Sequence, residues 1–120
     1  MHKDDVIRLQ HIIAEAEDAC TFAADMSFNE FVKDRKTAKA IIRSVELIGE
    51  AAANISNELR DKHQDIPWKQ IIGMRNHLIH VYFDIDFHTV WQTVKDNLPP
   101  LISQLKRIVE TDTDFWGKGM

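Results

Sequence analysis

Eight consecutive residues, RNHLIHVY at 75–82, gather an arginine, an asparagine, two histidines and the only tyrosine of the chain. An imidazole titrates near neutral pH and can take up or release a proton during a reaction. A guanidinium keeps its charge and forks onto phosphate or carboxylate oxygens. Arg75, Asn76 and His80 therefore have the chemistry to hold a phosphoryl group and move protons beside it. Residue types alone leave a plainer reading open. An arginine beside an apolar stripe needs a partner, because an unpaired buried charge is costly, and Glu46 or Glu50 could supply it. Tyr82 could likewise be a core tyrosine with a bonded hydroxyl.

Spacing constrains these readings further. At about 100° per residue, Ile71, Met74, Leu78 and Val81 fall on one core-facing stripe. Arg75 and Tyr82 flank it, separated from each other by roughly 20°. Asn76 and His80 are i, i+4 neighbours on the far side. Arg75 and His80 point roughly 140° apart on a straight helix. Joint action by these two requires either a distorted helix or a second copy of the chain.

Other groups invite chemistry less strongly. Lys33, Arg35, Lys36, Lys39 and Arg43 place five basic residues within 33–43. Lys36, Lys39 and Arg43 share a helix face and could track a nucleic-acid backbone, although a charge run is usually a solvated surface. His77, His80, Asp84, Asp86 and His88 could suggest a metal site. A zinc site would favour cysteines, and Cys20 is the only one. No Glu-x-x-His pair of the di-iron type occurs. No metal and no cofactor is expected. Asp84 and Asp86 suit a turn and a cap, and Cys20 sits on an apolar stripe as a small hydrophobe. Trp68 and Trp91 suit either a core or an interface.

The elements that carry these residues are helical. Val6, Leu9, Ile13, Ala16, Cys20 and Ala23 step by three and four along a first helix. Ser27 and Glu30 have capping-box spacing and open a short second helix. Ala38, Ile41, Val45, Ile48, Ala52 and Ile55 mark a long third helix, in which Gly49 suggests a close helix crossing that the motif helix could supply. Pro67 suits the first turn of a fourth helix bearing the motif. Asp86 is placed to cap a further helix. NLPP at 97–100 reads as an interruption, with Asn97 capping a final helix that buries Leu98, Leu101, Leu105 and Val109. The expected fold is all-α: an up-and-down bundle of four long helices plus short helices. It occupies residues 1–114 as a single domain, with 115–120 a flexible C-terminal tail.

A chain of 120 residues with 44% hydrophobic and 28% charged residues can bury one core. Its formal net charge of −4 excludes a general polycation, so nucleic-acid binding would need a local basic patch. The lone cysteine, the charged start and the lack of a long apolar run point to a cytoplasmic protein without a membrane span.

The motif Arg75-x4-His80-x-Tyr82, with polar Asn76 after the arginine, resembles the signature of HepT toxins among the HEPN-domain ribonucleases. IPWKQIIGMRN at 66–76 and VELIGEAAANI at 45–55 extend the likeness over most of the chain. The resemblance implies a HEPN-like fold and a homodimer that brings two motifs into one cleft. It further implies metal-independent RNA cleavage, with Arg75, His80 and Asn76 catalytic. It also implies a type VII-like toxin–antitoxin pair, in which an MntA-like nucleotidyltransferase antitoxin silences the toxin by adenylylating Tyr82, within a homodimer or a larger hetero-oligomer. Lys36, Lys39 and Arg43 would then carry RNA toward the cleft. A reading from another class is a non-catalytic helical subunit that binds a nucleotidyltransferase.

Overall fold

The computed structural model describes residues 1–80 and 84–112, with His80 described by its backbone alone. Helix α1 (Lys3–Phe22) starts where the His2 imidazole accepts a hydrogen bond from the Asp4 N–H at 3.1 Å. Helix α2 (Phe28–Val32) opens with the expected capping box: Ser27 Oγ accepts from Glu30 N–H at 3.1 Å, and Glu30 accepts from Ser27 N–H at 2.9 Å. Helix α3 (Arg35–Ala53) is capped by Asp34, which accepts from both the Thr37 N–H (3.0 Å) and its hydroxyl (2.6 Å). Helices α4 (Asn57–Lys62) and α5 (Trp68–Gly73) are short. Helix α6 (Phe87–Gln92) is capped by Asp86, and a π-helical turn (Thr93–Asn97) joins it to helix α7 (Leu98–Thr111).

Helix α1 packs against both α3 and α7. Leu9, Ile12 and Ala16 of α1 meet Ile41, Val45 and Ile48 of α3 and Leu98, Leu105 and Ile108 of α7 in one buried cluster. Each fully buried Leu or Ile contributes about 1.5–3 kcal/mol of transfer free energy. Polar ties fix the ends of the helices. The buried Asp5 carboxylate accepts from the Ser56 N–H at 3.0 Å and its hydroxyl at 2.5 Å, joining α1 to the start of α4. Arg60 donates to the carbonyls of Ala52 (3.0 Å) and Ala53 (2.7 Å), satisfying the open end of α3.

The fold is all-α, as the periodicity implied, yet two segments depart from it. The motif helix is shorter than its apolar spacing suggests: α5 ends at Gly73, and Met74–His77 forms a 3-10 turn. Ile79–His80 (β1) then pairs antiparallel with Asp84–Ile85 (β2), in the register Ile79↔Ile85 and His80↔Asp84. The physical reason lies in propensity. Gly73, Asn76, His77, Ile79 and His80, five of the eight residues from 73 to 80, are weaker helix formers than alanine or leucine. Leu78 stays buried without a helix, because the Asp86 N–H donates to its carbonyl at 2.9 Å and fastens the turn to the start of α6.

The second departure is at NLPP, where the chain does not break. Asn97 makes no side-chain cap and keeps a right-handed helical backbone (φ −95°, ψ −40°). Pro99 and Pro100 cannot donate to the carbonyls four residues earlier, and their rings would crowd them. The helix widens into the π turn at that point and continues. The expectations for Tyr82, Val81 and the tail at 115–120 lie outside the described residues.

Candidate functional site

The site begins at a helix crossing. A Cβ added to Gly49 of α3 would sit 3.2 Å from the carbonyl oxygen of Ile72 and 3.6 Å from that of Ile71. A side chain there would have to push the α5 backbone back by a few tenths of an ångström, so Gly49 eases the close crossing that its sequence context suggested. The crossing sets the following 3-10 turn alongside α3.

Along that turn the polar motif residues face out and the apolar one faces in. Arg75, Asn76 and His77 are exposed, while Leu78 is fully buried. Arg75 therefore departs from the buried ion pair considered above. Its partner is Glu46 rather than Glu50: Arg75 Nη1 lies 3.8 Å from Glu46 Oε2, with the arginine side chain 61% exposed. Arg43 Nη1 approaches the same oxygen at 3.9 Å. Two guanidinium groups share one carboxylate, which leaves a surplus positive charge at the surface where α3 and the turn meet.

The basic residues of α3 lead to this point. Lys36, Lys39 and Arg43 are all exposed, and their i, i+3, i+7 spacing lines them along one face of the helix. Glu46 continues the same line toward Arg75. His80 falls in β1, opposite Asp84, and its side chain lies outside the described residues, as does Tyr82. The 140° separation expected on a straight helix no longer applies, because the helix has ended before the motif is complete.

On the other side of the turn is a cleft of about 830 Å³ between the α5 segment and the π turn with α7. Met74 and His77 line it from the turn, and Asp96, Asn97, Leu101 and Gln104 from the opposite wall. Residue patterns did not reveal this cleft. Its polar wall depends on the π turn, and the only sequence signal for that turn was the proline pair, which read as a break.

The remaining chemical candidates have structural partners. Asp86 accepts from the Thr89 N–H (3.1 Å) and hydroxyl (2.7 Å) as the α6 cap. The His88 ring stacks on Phe28 with centroids 4.6 Å apart. Among the described residues, no three metal-ligating side chains converge. The Cys20 thiol points to the Val94 carbonyl at 3.7 Å, and burial pushes its pKa up despite the opposing charge of Lys95. An activated nucleophile needs the reverse shift.

The small helical bundle thus presents an exposed Arg-Asn turn at the end of a cationic stripe. Sequence comparison gives the class of protein: residues 9–108 match the model described as ribonuclease HepT-like, and the chain belongs to that family. A candidate RNase of Caldanaerobacter subterraneus subsp. tengcongensis is 41% identical over 104 residues, covering 87% of this chain and 93% of that one. A candidate RNase of Methanocaldococcus jannaschii is 39% identical over 107 residues, covering 88% and 98%. A candidate ribonuclease HepT of Thermococcus cleftensis is 37% identical over 107 residues, covering 89% and 94%. No solved structure matches the chain. The family is one of ribonucleases, and among the described residues no helix is long and apolar enough to cross a membrane.

Proposed function

We propose that the protein is a metal-independent endoribonuclease with Arg75, Asn76 and His80 as its catalytic residues. The observation that supports this most is the placement of Arg75: exposed, on a broken helix, and paired with Arg43 across one carboxylate. His80 takes the proton of the ribose 2′-OH, whose oxygen attacks the adjacent phosphorus. The bond to the 5′-oxygen breaks, that oxygen receives a proton, and a 2′,3′-cyclic phosphate and a 5′-hydroxyl remain. Arg75 stabilises the charge on the non-bridging oxygens, and Asn76 orients the phosphate or the imidazole. Lys36, Lys39 and Arg43 guide the RNA backbone toward the turn. One chain offers one motif, so a two-fold homodimer would supply a second histidine to the same cleft.

In this reading the protein is the toxin of a two-component pair located in the cytoplasm. A cognate MntA-like nucleotidyltransferase silences it by transferring AMP to Tyr82. The added phosphodiester carries negative charge that competes with RNA for Arg75. Arg75→Ala tests the assignment: the folded variant should lose cleavage, whereas wild-type rates would remove Arg75 from the chemistry. Mass spectrometry after incubation with ATP and the cognate transferase tests the switch. One AMP on Tyr82 is expected, and an unmodified tyrosine would count against it.

A further inference from the structure

We infer that the cleft beside the motif turn is a binding site for one unpaired nucleobase of the RNA substrate, flanking the scissile phosphate. The inference rests on the ribonuclease reading and extends it to how the substrate is gripped. The turn has two sides: Arg75 faces α3 and its basic stripe, while His77 lines the cleft. In a 3-10 turn, residues two apart differ by roughly 120° around the axis. A strand whose phosphates follow the stripe to Arg75 can turn its next base to the His77 side.

The lining chemistry suits a base and not a phosphate. Lys69 and Asp96 are the charged side chains of the lining, and their charges cancel. Met74 and Leu101 offer apolar faces, and His77 offers a ring against which a flat heterocycle can stack. Asn97 and Gln104 present amides, each with a donor and an acceptor, which can pair with a base edge. The Asp96 carboxylate only accepts, so it favours a base that presents an exocyclic amine. The volume of about 830 Å³ is within the range of small-ligand sites and accommodates a nucleoside.

Two variants outside the proposed catalytic set test this. Asn97→Ala removes one edge contact, and Gln104→Leu removes the other while keeping similar bulk. Wild type and variants are compared on short RNA oligonucleotides that differ at one base next to the cleavage site. Binding of the same sequences with 2′-O-methyl sugars, which cannot be cleaved, is measured in parallel. Both variants should raise KM and weaken oligonucleotide binding by about tenfold, leave kcat at saturation near wild type, and flatten the preference for amine-bearing bases over uracil. Unchanged KM, binding and base preference in folded variants would overturn the inference. So would a change in sedimentation behaviour without a change in RNA binding, which would mean that the cleft receives a second copy of the chain. Failure of the nuclease reading looks different: wild type then binds the methylated RNA without cleaving the unmodified one, and the binding arm still decides whether the cleft takes a base.

Discussion

At Arg75 the catalytic reading and a purely structural ion pair predict different outcomes. Its contact with Glu46 is 3.8 Å and its side chain is 61% exposed. Exposed pairs of this kind contribute about 0–1 kcal/mol. Arg75→Ala should therefore leave the urea-unfolding free energy within about 1 kcal/mol of wild type while removing cleavage. A parallel loss of stability and activity would restore the structural reading. Asp112 gives the opposite case. Burial alone would raise the pKa of its carboxyl, but hydrogen bonds from Lys62 (2.9 Å) and from His63 (3.1 Å) outweigh that and hold it below its ordinary value. A carboxyl with a depressed folded-state pKa stabilises the protein above its unfolded value of about 3.9, and this contribution is lost as pH falls through the folded value. Asp112→Asn should thus narrow the gap between unfolding free energies measured at pH 7 and at pH 3. An unchanged gap would mean that the cluster does not favour the charged carboxyl. The residue types at 75–82 were legible as chemistry from the start, and so was the Arg–Glu pairing. Exposure was not, because an apolar stripe beside an arginine reads the same whether the segment is a helix or a turn.

Among the helices, the crossing of α3 and α5 controls where the motif stands. Gly49→Val would press a branched side chain onto a backbone carbonyl that already lies 3.2 Å from the Cβ position. The expected cost is about 1–3 kcal/mol, with a larger loss of cleavage than the lost stability explains, because the turn is displaced from Arg43 and Glu46. Full activity in a folded Gly49→Val protein would show that the crossing does not position the site. Helices α1 and α3, the capping box at Ser27 and Glu30, and the Asp86 cap were all readable, since each depends on contacts within a few residues. The end of α5 was harder. Ile71, Met74 and Leu78 keep helical spacing, yet a 3-10 turn carries Leu78 to the same core. At NLPP a local rule favoured a break, and tertiary packing of Leu98 and Leu101 kept the rod continuous through a wider turn.

Taken as one body, the bundle supports the motif by burying what lies between its polar residues. Leu78 is fully buried and belongs to the same cluster as Ile48 and Leu98. Leu78→Ala should cost about 2–5 kcal/mol in thermal or urea unfolding, and a cost below about 1 kcal/mol would place the turn outside the cooperative core. The acidic chain concentrates positive charge along α3 and at the turn. Removing Lys36 and Lys39 together should weaken RNA binding and flatten its dependence on salt; a slope equal to wild type would assign both lysines to solvent. Neither the cleft nor the meeting of Arg43 with Arg75 was legible in one dimension, since each joins segments that are separate in the sequence.

The most direct measurement is a cleavage assay in EDTA that compares purified wild type with His80→Ala over structured and unstructured RNAs. Cleavage by wild type alone, leaving 2′,3′-cyclic phosphate ends, is the expected result and places His80 in a metal-free reaction. Equal cleavage by the folded variant, or none by either protein, would contradict the assignment and favour a helical subunit that binds a nucleotidyltransferase.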